Sequence, residues 1–249
     1  MTQNSLVHFD TAKRELALAN TIDEVKDIRD KAEANKCLKS IKDRIILDLC
    51  GGTGAWSKPY LESGYDVRNI TLPEYDITTY VLLENVYGVF AAPPCQMFSQ
   101  ARNAYNNNPK VKPRNFIEGM NLVNACMRII FQCHNSLTFW ALENPVGLLS
   151  KFLGKPVYTF EPWWFDGDEN WSKRTALWGK FNVPQRVYFN YEDRPDAYNV
   201  YIRAKKRYSL RKSKIPSIQD ITCGGHKVQN EIRSITPSGF AGAFFEANQ

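Results

Sequence analysis

Two short stretches carry side chains able to do covalent chemistry. Ala91-Ala92-Pro93-Pro94-Cys95-Gln96-Met97-Phe98-Ser99 closes an apolar run at residues 87–92 that reads as a buried strand. The two prolines stop that strand and fix the backbone, since each ring locks φ and removes a ladder donor. The next side chain is a thiol, Cys95. A second apolar run, residues 138–142, leads straight into Glu143-Asn144-Pro145. Open α/β sheets bind ligands at the carboxyl ends of their strands. A thiolate at that edge can add to an electrophilic carbon. A carboxyl kept protonated by partial burial can donate to a ring nitrogen. A lone cysteine is more often packing than nucleophile; the carboxyl expected at the same edge is what favours chemistry.

The elements that must position these groups follow from pattern. Arg44-Ile45-Ile46-Leu47-Asp48-Leu49-Cys50-Gly51-Gly52-Thr53-Gly54-Ala55-Trp56 is a β-rich run entering a glycine-rich turn, with a helix expected over 56–63. Glycines let a backbone pass close to a ligand, and the helix start offers free N–H groups. The spacing is neither the GxGxxG of dinucleotide binders nor a P-loop. Residues 66–72 read as a strand closed by Pro73, followed by Glu74-Tyr75-Asp76-Ile77-Thr78. A carboxylate there can accept hydrogen bonds from a ribose or an adenine amino group; equally, Asp76 can cap the short helix after it.

Residues 100–114 form a polar loop with Asn106-Asn107-Asn108, long enough to act as a lid. Residues 116–134 read as an amphipathic helix with Met120, Val123, Met127, Ile130 and Phe131 expected in the core. An aromatic-rich stretch, 157–179, contains Lys173-Arg174-Thr175 at the start of a short strand, where both cations can meet phosphate or equally stand as a solvated strand start. From 186 to 231 the character changes. Tyr188, Tyr191, Tyr198, Tyr201 and Tyr208 interleave with Arg203, Lys205, Lys206, Arg207, Arg211, Lys212 and Lys214, a pattern that favours a nucleic-acid surface over a merely solvated face. Ile235-Thr236-Pro237-Ser238-Gly239-Phe240-Ala241 opens a C-terminal helix expected to pack back on the core.

Length and composition bound the rest. The 249 residues suit one large α/β domain. It divides into an N-terminal helical extension (1–40, with a Thr21/Glu24 capping box and Ile22, Val25, Ile28 and Ala32 at helical spacing), a core (41–185), a short basic segment (186–231) and a C-terminal helix (232–249). No apolar run approaches the roughly 20 residues that span a bilayer, and residues 1–18 carry charges of both signs with no signal-like apolar core. Six cysteines with no CxxC pair, and only three histidines, argue against a metal site and a disulfide framework. A cytoplasmic, reduced, monomeric protein is expected. The net charge of +6 permits a polyanionic partner.

Set in order, these pieces resemble the DNA (cytosine-5)-methyltransferase family from Asp48 to the C-terminus. Pro93-Pro94-Cys95-Gln96-Met97-Phe98-Ser99 looks like its PPCQxFS motif without a gap, Asp48-Leu49-Cys50-Gly51-Gly52-Thr53-Gly54 like its cofactor loop, and Glu143-Asn144-Pro145 like its ENV motif. The proline in place of valine and the compact tail are most similar to phage-encoded members, of restriction–modification kind. The resemblance implies a Rossmann-like class I methyltransferase sheet with one reversed strand, helices on both faces and a small basic insert. It implies S-adenosyl-L-methionine as cofactor and a cytosine flipped out of duplex DNA as substrate.

On that resemblance Cys95 is the nucleophile, Glu143 the acid partner, and Arg174 the cation assisting the thiol. The cofactor falls to Asp48, Cys50, Gly51, Gly52, Thr53, Gly54, Trp56, Glu74, Asp76, Ile77 and Pro93. The substrate falls to Pro94, Gln96, Ser99, Asn144, Lys173, Arg203, Lys205, Lys206 and Arg207. Two departures stand out. Asn170-Trp171-Ser172-Lys173-Arg174 has Ser172 where the family's QxRxR motif has its middle arginine, and Thr71-Leu72-Pro73 occupies the place of the acidic ribose ligand, for which Glu74 is the substitute. The short insert keeps open the same covalent chemistry on a nucleotide or single strand or with a modified sulfonium donor, and the altered Asn170–Arg174 segment keeps open a non-catalytic nucleic-acid-binding relative.

Overall fold

The computed structural model describes residues 26–31, 33, 40–82, 85–100, 113–197, 215–217 and 232–249. Among these, one six-stranded sheet is built from β1 (Ile45–Leu49), β2 (Asp66–Ile70), β3 (Gly88–Ala91), β4 (Phe139–Pro145), β5 (Tyr158–Phe160) and β6 (Thr175–Lys180). The spatial order is β2-β1-β3-β4-β6-β5. The first four strands pair in parallel, while β6 runs antiparallel to both β4 and β5. The chain is therefore α/β with a mostly parallel mixed sheet, and β6 is its single reversed strand.

Strand alternation explains why both faces are covered. Successive side chains of a strand point to opposite faces. Leu47, Leu49, Val89, Ala91 and Leu142 meet Val123, Cys126, Ile129 and Ile130 of helix α2, which follows helix α1 (Lys58–Glu62) in the chain and spans Phe116–Gln132. Ile46, Phe90, Phe139 and Ala141 face the other way, against Tyr60 of α1 and against Phe240 and Phe244 near the C-terminus. With both faces buried, β1 has no exposed residue at all.

After β4 comes a one-turn helix, α3 (Ser150–Leu153); the C-terminal helix is α4 (Ser238–Asn248). As expected, α4 returns to the core. Phe240 stacks on Phe160 with ring centroids 3.8 Å apart, and the Tyr60 hydroxyl donates to the Asn248 carbonyl. Fully burying each such aromatic contributes roughly 1.5–3 kcal/mol. The start of α4 is held by Glu169, whose carboxylate accepts from the Ser238 amide (2.8 Å) and hydroxyl (3.0 Å).

The topology fixes where a site can be. From β1 the chain moves to β2 on one side, then crosses to β3 on the other side of β1. The switch point of the sheet lies between the carboxyl ends of β1 and β3, which is where such folds place ligands. The glycine-rich turn leaves β1 there, and the Pro-Pro-Cys turn leaves β3.

Three expectations are corrected. Glu143 and Asn144 do not lie beyond the strand: β4 continues through Pro145 because β6 pairs with it as far as Thr175. Phe131 is 65% exposed rather than core, since it sits about 100° around α2 from Ile130, on the water side. The helix after the glycine turn starts at Lys58, two residues late, because 52–57 are consumed by turns. Of the N-terminal extension, the helical residues 26–31 leave only Ile28 half-buried; Thr21, Ile22, Glu24, Val25 and Ala32 lie outside the described residues. The lid-like loop 101–112 and the cations Arg203, Lys205, Lys206 and Arg207 lie outside them too. Residues 186–197 pack with Trp163 and Trp164 in a small cluster of their own, pinned by the buried Arg194, which donates to the carbonyls of Trp163, Phe165 and Gly167.

Candidate active site

Pro93 and Pro94 end β3, and Cys95 opens a single 3-10 turn, Cys95–Met97. The Cys95 carbonyl accepts from the amides of Phe98 and Ser99, both at 2.9 Å, which closes the turn. Three outside contacts hold it. Arg114 donates from its two terminal nitrogens to the carbonyls of Met97 (2.6 Å) and Ser99 (2.9 Å). Gly119 of α2 lies so close that a Cβ there would stand 2.9 Å from Met97 Cβ and Phe98 Cζ. The Phe98 carbonyl accepts from the Leu148 amide at 2.9 Å, tying the turn to the segment after β4. The Cys95 side of this turn keeps partial exposure, with Pro94 and Gln96 exposed around it.

The second reactive group arrives on β4. Ala91 of β3 and Leu142 of β4 are register partners, so Glu143 stands level with Ala92, one residue past the end of β3 and just short of the Pro-Pro-Cys turn. Asn144 points the opposite way from Glu143 and is completely buried. Its side-chain amide donates to the Pro93 carbonyl at 3.0 Å. Asn144 thus joins the two motifs from beneath.

Charge links the pair. Burial pushes the Cys95 thiol up, and the nearby Glu143 carboxylate pushes it further, while Lys173 and Arg233 pull it down. Burial likewise pushes the Glu143 carboxyl up, opposed by Lys173. Lys173 Nζ lies 4.0 Å from Glu143 Oε1, with the side chains only 15% and 16% exposed. Arg174, expected to assist the thiol, is exposed, and its charge acts on Glu161, whose carboxylate also accepts from the Ser172 hydroxyl at 3.0 Å. The reason is strand alternation just ahead of β6: neighbouring side chains leave on opposite sides, and Lys173 has the side facing Glu143.

The glycine-rich turn forms a separate cradle at the end of β1. Cys50 has φ +57°, Gly52 +54° and Gly54 +71°, three left-handed positions in a row of five residues. The Cys50 side chain turns inward against Cys126, and that contact with burial pushes the Cys126 thiol up. Asp48 is fully buried, accepts from the Ser57 hydroxyl at 2.6 Å, and has its carboxyl pushed up to about 6 by burial, against the Ser57 donors. Asn69, the register partner of Asp48, donates to the Gly52 carbonyl at 2.9 Å. A Cβ on Gly51 would stand 2.4 Å from Asp48 Oδ1 and 2.7 Å from Asn69 Oδ1. Neither oxygen has a donor among the described residues. Only glycine fits there.

The remaining predicted residues divide clearly. Thr53 and Gly52 are exposed at the loop, and Glu74 is exposed beyond β2. Asp76 is exposed as well; its Oδ1 accepts from the amide (2.8 Å) and hydroxyl (2.7 Å) of Thr78, closing a turn over 77–79 in place of the expected short helix, and these donors hold its carboxyl below the usual range. Trp56 is buried against Phe90, Phe240 and Phe244, and Ile77 is in the core with α2. Ser99 bridges to Gly147. Residues missed in the sequence are Ser57, Asn69, Arg114, Gly119 and Arg233. Each acts across a distance in the chain, and no local pattern marks them.

Among the described residues no helix is long and apolar enough to cross a membrane, and no group of three or more His, Cys, Asp and Glu side chains could hold a metal ion. Neither the protein-family models nor the curated proteins contain a match to this chain.

Proposed function

We propose that this protein methylates C5 of cytosine in DNA, using S-adenosyl-L-methionine and a covalent adduct between Cys95 and C6. The observation that carries the reading is the pairing of Cys95 and Glu143 at one sheet edge, close enough that the carboxylate's charge is felt at the thiol, with Asn144 and Pro93 holding the two motifs together.

C5 of cytosine is too weak a nucleophile to take a methyl group unaided. Addition of the Cys95 thiolate to C6 pushes the ring electrons toward C5 and makes it enamine-like. Glu143, its carboxyl raised by burial, protonates or hydrogen-bonds N3 and so stabilises charge that develops in the ring. C5 then takes the methyl group as the donor's carbon–sulfur bond breaks and its sulfur leaves as a neutral thioether; loss of the C5 proton to solvent re-forms the double bond and expels the thiolate, and N3 returns any proton it took to Glu143.

The loop after β1 fits the proposed cofactor. The donor supplies an electrophilic methyl group and carries an amino-acid ammonium. Asp48 Oδ1 and Asn69 Oδ1 are two acceptors without donors at Gly51, the chemistry that a cationic group would complete. The left-handed glycines let the backbone lie close to a ligand.

The test is covalent trapping. Duplex DNA carrying 5-fluorocytosine should form an irreversible complex with the protein and donor, lost in Cys95→Ser, while tritiated methyl transfer goes to duplex DNA and not to free dCMP. Transfer to dCMP or to single strands alone would move the reading to the substrate alternative. Intact DNA binding with no adduct would end it in favour of a non-catalytic binder.

A further inference from the structure

We propose that Lys173 is a positioning residue of the Cys95–Glu143 site: its ammonium, seated on the Arg233 carbonyl, orients the Glu143 carboxylate and keeps positive charge beside the thiol. The inference deepens the proposed reaction and rests on reading Cys95 and Glu143 as one site.

The geometry points to Lys173 from two directions. Its Nζ donates to the Arg233 carbonyl at 2.6 Å, a hydrogen bond across sixty residues that fixes where the ammonium stands. From that seat it reaches Glu143 Oε1 at 4.0 Å with both side chains mostly buried. A lysine on the surface would swing freely in water; this one is tethered at its tip. The neighbouring cation is turned elsewhere, since Arg174 is exposed and acts on Glu161. The segment before β6 therefore delivers one ammonium to the cleft, with the segment before α4 as its anchor.

That arrangement answers a difficulty of the site. A half-buried thiol beside a carboxylate is held in its unreactive protonated form, and the thiolate is the nucleophile. The charged groups facing Cys95 are Glu143 from β4, Lys173 from the segment before β6 and Arg233 from the segment before α4. Lys173 offsets Glu143 directly, because it is the group within ion-pair reach of that carboxylate. Lys173 stands within ion-pair reach of one Glu143 oxygen, Oε1, and so restrains the carboxylate that has to address a flat ring from its edge.

The test needs neither DNA nor donor. Alkylation of Cys95 by iodoacetamide is followed by peptide mass spectrometry from pH 6 to 10 in the wild type, Lys173→Gln and Lys173→Arg, with Cys95→Ser as control. In Lys173→Gln the pH midpoint should move up, slowing alkylation at pH 7.5 by about three- to tenfold, as a shift of half to one pH unit requires. Lys173→Arg should restore most of the rate. An unchanged midpoint in Lys173→Gln overturns the proposal. Should that variant fail to fold, the ammonium nitrogen resonance of wild-type Lys173, assigned by its loss in Lys173→Arg, must shift as Cys95 titrates; a flat signal likewise overturns it. A Lys173-dependent midpoint in a protein that never traps fluorocytosine DNA would sink the proposed reaction alone. Trapping with a Lys173-independent midpoint would sink this inference alone.

Discussion

Asn144 donates its side-chain amide to the carbonyl of Pro93 at 3.0 Å, although fifty-one residues separate them. Through this bond the strand bearing Glu143 is coupled to the turn bearing Cys95, and the Pro93 carbonyl, left free by the end of the ladder, is satisfied. Asn144→Ala strips a buried carbonyl of its partner, and such losses cost about 1–3 kcal/mol. A urea midpoint lowered to match, together with slower covalent trapping, is the expected outcome. Wild-type trapping kinetics in a destabilised Asn144→Ala would show that the tie serves stability alone.

Glu143→Gln separates thiol reactivity from turnover. The carboxylate raises the Cys95 thiol, so its removal lowers the pH at which thiolate forms. Alkylation of Cys95 near pH 8 should then be faster than in the wild type, while methyl transfer falls because the acid partner is gone. Slower alkylation would contradict the charge coupling between the two side chains.

Asp48 should impose an unusual pH dependence on stability. Its carboxyl is raised from 3.8 to about 6 in the folded protein, so the native state holds a proton that the unfolded chain has released. The stabilisation is complete below pH 4 and is lost as pH rises through 6, with a total of about 3 kcal/mol for a shift of this size. Asp48→Asn cannot ionise. Its stability relative to wild type should therefore improve steadily between pH 4 and 7 in chemical denaturation, and a difference independent of pH would count against a proton on Asp48.

Gly119→Ala sets helix propensity against packing. Alanine inside a helix gains about 1 kcal/mol over glycine, yet the new methyl would press on Met97 and Phe98 at 2.9 Å, and overpacking costs about 1–3 kcal/mol. The melting temperature should fall and Cys95 alkylation should change with it, since the displaced residues belong to its turn. A more stable Gly119→Ala variant would mean that α2 and the turn are less tightly apposed than described.

Much of the architecture was legible because its signals are local. The run Ile45-Ile46-Leu47 announces a strand by side-chain type alone, and β1 proves buried on both faces. The positive φ angles at Gly52 and Gly54 fall where the glycines stand. Phe131 was misread because one residue's shift in helical phase separates core from water, and the surrounding residues are apolar in either phase. Arg174 is exposed and acts on Glu161 while Lys173 reaches Glu143, because a strand's neighbouring positions face opposite ways, and nothing in Lys173-Arg174 says which of the two takes which side.

What the amino-acid order determined by itself is the set of elements and the residue types at their ends: a thiol after two prolines, a carboxyl after an apolar run, glycines after an acid. These depend on backbone preferences and apolar spacing, which act over a few residues. Only the tertiary structure decided that β3 and β4 lie side by side in a register matching Ala91 to Leu142, that Asn144 reaches Pro93, and that Lys173 is anchored on Arg233. Such choices are made by burial of the shared core and by the need of each buried polar group for a partner, and both are properties of the whole fold.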